Sequence, residues 1–104
     1  MNREVFEITH KIVDYFQPEK IILFGSHAYG HPTENSDVDL LVIMNHHGSA
    51  RWQAAKILQT IDYHFPLDLI VRSSKQLANR IQAGDYFLRE IIEKGTVLYE
   101  QAVS

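Results

Sequence analysis

The chain has 104 residues, 45% apolar and 22% charged, with a formal net charge of −3 and no cysteine. Those figures exclude disulfide scaffolds and thiolate chemistry, and they lack the basic excess of a protein that grips duplex nucleic acid. MNREVFEITHK at the N-terminus lacks the continuous apolar core of a signal peptide, and no apolar run approaches the roughly 18 residues that span a bilayer, so one cytoplasmic domain over residues 1–104 with no membrane role is expected.

Val5, Ile8, Ile12, Val13 and Phe16 recur at helical spacing and predict a helix over Asn2–Phe16, stopped by Pro18. Lys20–Phe24 is a short apolar run bounded by Pro18 and Gly25, the pattern of a buried strand. Ser26–Tyr29 fits a turn or a short helix, and a polar loop follows through Gly30, Pro32 and Asn35. Val38–Met44 predicts a second strand, apolar on both faces beyond Asp39, either central or shielded by helices on one side. Ser49 is placed to cap a helix over Ala50–Tyr63 with Ala54, Ile57, Leu58 and Ile61 inward. Phe65–Val71 predicts a third strand with Pro66 near its start. A helix from Ser73 or Ser74 through Ile81, another over Asp85–Lys94 stopped by Gly95, and a short strand Thr96–Tyr99 complete an α/β (α+β) domain with a small sheet.

The stretch FGSHAYGHPTENSDVDL carries the chemistry. A glycine at a strand end lets the backbone turn sharply and approach a ligand, and the Ser26 hydroxyl and the N–H groups beyond Gly25 are donors suited to a phosphate; a plain turn explains Gly-Ser equally well. Asp37 and Asp39, two apart on a strand, emerge on one face with Cα atoms roughly 6.6 Å apart. Carboxylates so placed can share one divalent cation or a close pair, whereas an Asx-type turn after Ser36 and a surface strand residue account for them without metal. Asp68 is a lone acid in an otherwise apolar strand, where an unpartnered ionised group is expensive. Set beside the second strand, it would complete an all-oxygen cage suited to Mg²⁺; left on an edge, it points to water. A phosphate-gripping turn beside three acids suggests phosphoryl or nucleotidyl transfer, with Asp68 the best-placed proton acceptor.

Gly25-Ser26, ten residues, then Asp37-x-Asp39 resembles the signature of the minimal nucleotidyltransferases of the DNA polymerase β-like superfamily. The Leu40-Leu-Val-Ile that follows, and the later strand acid Asp68, fit the same family over nearly the whole chain. The resemblance implies a nucleotidyltransferase fold, a small mixed sheet flanked by helices, with Mg²⁺ and a nucleoside triphosphate. It implies that Gly25, Ser26 and His27 bind the nucleotide, and that Asp37, Asp39 and Asp68 form the catalytic, metal-ligating triad. Such proteins are typically antitoxins whose partner is a HEPN-domain ribonuclease toxin, silenced in some members by AMP transfer from ATP to a tyrosine. Many relatives carry arginines after Gly-Ser (GSRARG) where this chain has His27 and Tyr29, which favours the alternative of an antitoxin that neutralises its partner by binding, with a vestigial or regulatory nucleotide site. A phosphatase with an Asp-x-Asp nucleophile fits poorly, because its apolar strand precedes the aspartates and Leu41 stands where Thr or Val is common.

The remaining candidates have plainer readings. His31, His46 and His47 fall in polar loops, and adjacent histidines rarely face one ion. Trp52 is expected at a helix edge, Arg89 and Glu90 on a solvated helix face with Arg89 a candidate substrate contact, and Tyr86, Phe87 and Tyr99 in core and rim.

Overall fold

The structure, a computed structural model, describes residues 3–30 and 37–102. Its elements in order are α1 (Arg3–Phe16), β1 (Lys20–Phe24), α2 (Ser26–Tyr29), β2 (Val38–Ile43), α3 (Ala50–Thr60), β3 (Leu67–Arg72), α4 (Ser74–Gln82), α5 (Tyr86–Lys94) and β4 (Thr96–Glu100). The polar loop expected around His31, Pro32 and Asn35, with the turn at Ser36, lies outside the described residues.

The sheet order is β3-β2-β1-β4. β1 runs antiparallel to both β2 and β4, and β2 runs parallel to β3, so the sheet is mixed. β2 is therefore central, and the two-residue alternation of its side chains sorts them between two cores. Val38, Leu40 and Val42 join Ile21 and Leu23 of β1 under α1 and α3, where Ile8, Ile12 and Ile57 are buried. Leu41 and Ile43 join Ile22 and Phe24 under α4 and α5, against Leu77, Leu88 and Ile91. Truncating a fully buried side chain such as Ile57 would cost about 2–5 kcal/mol, because such a site relaxes only partly.

Local signals set the element ends. Gln17 ends α1 in the left-handed region at φ 50°, its N–H still donating to the Val13 carbonyl at 3.0 Å, and Pro18 cannot continue the helix. Ser49 caps α3 through Trp52 N–H, and Ser73 forms a reciprocal capping box with Gln76 at the start of α4. Asp85 caps α5, its carboxylate accepting from Leu88 N–H at 3.0 Å. That bond, assisted by Arg80, holds the Asp85 carboxyl below its ordinary range.

Two expectations are corrected. α3 ends at Thr60, not Tyr63, because Ile61 turns extended (ψ 150°) and drops its side chain into the core. The third strand begins at Leu67 rather than Phe65, since Pro66 offers no N–H to a ladder and contributes only its carbonyl, to Val38 N–H at 2.9 Å. Gly95 does stop α5, as its C-cap, with φ −69° and ψ 165° rather than in the left-handed form. It is glycine because a Cβ there would meet Ile22 Cγ2 and the Ile91 carbonyl oxygen, each at 2.5 Å, where α5 passes close to β1. Among the described residues, no helix is long and apolar enough to cross a membrane.

Candidate active site

β1 ends at Gly25, whose φ of 76° and ψ of −161° lie in backbone space open essentially to glycine alone. The turn delivers the chain into α2, where the N–H groups of Ala28 and Tyr29 donate to the Gly25 carbonyl at 3.0 and 3.1 Å. Ser26 and His27 stand ahead of those first helical bonds, both half-buried. Ser26–Tyr29 is thus the short helix of the two forms expected.

The register of two neighbouring strands places the acids. Phe24 of β1 is the antiparallel partner of Asp39, and Asp68 of β3 is its parallel partner. In-register residues on adjacent strands share a face, so Asp39 and Asp68 stand side by side, one inter-strand spacing apart, on the face that α5 covers further along. Asp37 lies just ahead of β2, close enough for its charge to act on Asp39. A Cβ on Gly25 would collide with Asp39 Oδ2, so the missing side chain is the space that the carboxylate occupies.

The electrostatics of Asp39 report the same grouping. Its carboxyl is raised from the ordinary value, first by partial burial, then by the charges of Asp68 and Asp37, with His27 acting in the opposite sense. Asp37 and Asp68 are exposed and Asp39 is half-buried. Among the described residues, no three carboxylates or imidazoles are drawn together closely enough to hold a metal ion. The chemistry of the donors nevertheless suits a hard divalent cation: Asp39 and Asp68 side by side on one sheet face, oxygen ligands only, with Asp37 near enough to help raise the Asp39 carboxyl.

A cleft of about 480 Å³ opens over this face, with Gly25, Tyr29, Asp39 and Asp68 in its wall. Ser26, His27 and Asp37 lie outside its lining. The opposite wall comes from α5 as Phe87, Glu90 and Ile91, three residues on one helical face, with Phe87 meeting Phe24 edge-on at 5.8 Å between ring centroids. Phe87, expected in core or rim, and Glu90, expected on a solvated face, both belong to the cleft. The helical spacing of Phe87, Glu90 and Ile91 was a signal, but which face of α5 meets the acids depends on tertiary packing. Arg89 points elsewhere and pairs with Glu93 at 3.0 Å.

The other candidates take structural places. Both ring nitrogens of His46 face oxygen acceptors, Nδ1 at the Gly48 carbonyl (3.1 Å) and Nε2 at Gln76 Oε1 (3.0 Å), which ties the loop before α3 to the first turn of α4. Trp52 lies on the outer side of α3 with Lys56 Nζ 5.0 Å from its ring centre. Tyr99 packs against the core from β4, while Tyr86 is 79% exposed.

Comparison with known proteins matches residues 7–103 to the family model described as polymerase beta, nucleotidyltransferase. A protein of Methanocaldococcus jannaschii named "Putative protein adenylyltransferase" is 36% identical over 84 residues, covering 78% of each chain. The crystal structure of "a putative nucleotidyltransferase" from Sulfolobus solfataricus superimposes with a TM-score of 0.65 over 95% of this chain and 79% of the other, at 17% identity, a likeness of fold.

Proposed function

The chain belongs to the polymerase beta nucleotidyltransferase family, and on that premise we propose that it is a Mg²⁺-dependent protein adenylyltransferase acting as an antitoxin. Its proposed acceptor is a tyrosine of a partner HEPN-domain ribonuclease, and its donor is ATP. The observation that carries the reading is the pairing of Asp39 with Asp68 across β2 and β3, beside a Gly25 turn that leaves room for the Asp39 carboxylate. A relative that shares 36% of its aligned residues bears the name of a protein adenylyltransferase.

In this reading Gly25, Ser26 and His27 receive the triphosphate, and Asp37, Asp39 and Asp68 hold the cation. A bound divalent ion would neutralise phosphate charge that an acidic protein cannot neutralise by itself. The acceptor oxygen forms a bond to the α-phosphorus as the bond from that phosphorus to the bridging oxygen of the β-phosphate breaks, and pyrophosphate leaves. Asp68, exposed at the edge of the cleft, accepts the hydroxyl proton. Tyr29 and Phe87 supply aromatic walls for the base or the acceptor.

The test is incubation with ATP labelled on the α-phosphate, Mg²⁺ and a candidate HEPN-domain protein. Label appears on the partner and is lost with Asp39→Ala if the reading holds. No label, together with inhibition that survives Asp39→Ala, removes the catalytic reading. That outcome favours neutralisation by binding, which His27 and Tyr29 in place of arginines already support.

A further inference from the structure

The outer edge of β3 frames a second cleft that the transfer step does not use. β3 stands at the end of the sheet and pairs, among the described residues, with β2 alone. Met44 N–H donates to the Arg72 carbonyl at 3.0 Å and Val38 N–H to the Pro66 carbonyl at 2.9 Å, so the even-numbered peptide groups of this strand turn toward β2. By the two-residue alternation those of Leu67, Leu69 and Val71 point away from the sheet. The Val71 carbonyl shows that direction by accepting from Arg72 Nη1 at 2.7 Å.

A cleft of about 470 Å³ follows this edge. Arg51 and Ala54 of α3 wall it on one side, and Gln76 and Arg80 of α4 on the other. The two helices cover opposite faces of the sheet, so the strand edge is the floor between them. Arg51, Arg72 and Arg80 line it and, among the described residues, no carboxylate does, in a chain of net charge −3. Arg80 is anchored to Asp85 at 3.2 Å with its side chain still 59% exposed. Neither α3 nor α4 carries an acid in its first turn, so the partial positive charge at both helix starts is uncancelled.

We propose, resting on the protein-directed transfer described above, that this edge docks the acceptor: an extended acidic segment that adds as a strand beside β3 and sets its carboxylates on Arg51, Arg72 and Arg80. Backbone pairing to Leu67 and Leu69, the half-buried outward positions, supplies affinity, since Val71 is buried and its carbonyl is taken by Arg72, and the guanidinium groups select for acid. Every second side chain of such a strand lies on the Asp39–Asp68 face, and the residue opposite Asp68 sits about 4.8 Å from it. Leu69 and Ile70 line both clefts, so that residue's hydroxyl enters the active-site cleft beside the proton acceptor. A carboxylate four residues away on the same face stands opposite Arg72. A second copy of this chain does not suit the edge, because it brings the same arginines against themselves.

The probe is a fluorescent peptide of about ten residues with a central tyrosine and glutamates two and four positions to either side, compared with the same peptide carrying lysines. Anisotropy is measured without nucleotide or metal, so peptide binding is read apart from catalysis. The glutamate peptide binds and the lysine peptide does not; Arg51→Glu with Arg80→Glu weakens binding by about tenfold or more, and added salt weakens it further. Leu69→Pro removes an outward N–H without touching a β2 bond and weakens binding more than Leu69→Ala, which loses only the side chain. Equal binding of both peptides, or indifference to the arginine reversals, overturns the proposal. So does tighter capture of single-stranded RNA at the same arginines, or a wild-type dimer dissolved by the reversals. A protein that binds the peptide through these arginines but labels no acceptor keeps the docking edge and loses adenylyl transfer. One that labels its acceptor equally well with both arginines reversed keeps transfer and overturns the docking edge.

Discussion

Gly25→Ala tests the geometric core of the site. The φ of 76° and ψ of −161° at this position cost a residue with a Cβ about 1–3 kcal/mol. For a domain of this size each kcal/mol lowers Tm by roughly 4–8 °C. The new methyl also lands on Asp39 Oδ2, with the Asp39 carboxyl carbon at 3.1 Å and its Cβ at 3.5 Å. The carboxylate is the far end of a short side chain, so it swings aside and the fold survives. A displacement of about 1 Å at a reacting group costs on the order of a hundredfold in rate. Transfer of labelled AMP should therefore fall about a hundredfold at temperatures where the variant is fully folded by circular dichroism. Gly30→Ala is the control: its φ of 87° imposes backbone strain, but nothing lies within 4 Å of the added Cβ. It should lower Tm and leave the rate near wild type. A Gly25→Ala enzyme within about threefold of wild type would refute the claim that this glycine makes room for the Asp39 carboxylate.

Asp39→Asn should raise Tm in metal-free buffer at neutral pH. Burial and the neighbouring Asp68 and Asp37 raise the folded-state carboxyl above its unfolded value of 3.8, so its stabilising contribution is complete below that value and is lost as pH rises through the folded one. The gain should vanish in acid, and a Tm lowered by Asp39→Asn at pH 7 would contradict the crowding of these carboxylates. Mg²⁺ should stabilise the wild-type protein, by about 2.7 kcal/mol at a hundredfold excess over Kd, and a melt series of Asp37→Asn, Asp39→Asn and Asp68→Asn should show that shift reduced in each. Gly95→Ala should destabilise by about 1–3 kcal/mol in a urea melt, since its Cβ meets backbone oxygens that cannot swing away, the Ile91 carbonyl at 2.5 Å and the Leu23 carbonyl at 3.0 Å. A loss below about 0.5 kcal/mol would mean that α5 and β1 are free to move apart.

Much of this protein is legible along the chain because local physics writes it there. Period and punctuation place the elements: the helical recurrence from Val5 to Phe16, Pro18 after it, the caps Ser49 and Ser73, and the apolar run after Asp39. Asp37 and Asp39 are neighbours wherever the strand lies, since two residues of separation is a local property. The donor chemistry beyond Gly25 is likewise local. What the chain order does not encode is the pairing of distant strands. That Asp68 stands opposite Asp39, and not one residue to either side and so on the other face, depends on the parallel register of β2 with β3 across the α3 crossover. The same register turns the backbone groups of Leu67 and Leu69 outward at the edge between α3 and α4, where three arginines far apart in sequence meet. The turn of α5 that brings Phe87 and Glu90 over the acids follows from burying Leu88 and Ile91 against β1. Two glycines also change meaning in three dimensions: Gly25 yields its side-chain space to a carboxylate, and Gly95 yields its own to a strand. Their neighbours in space, which sequence spacing cannot name, decide both.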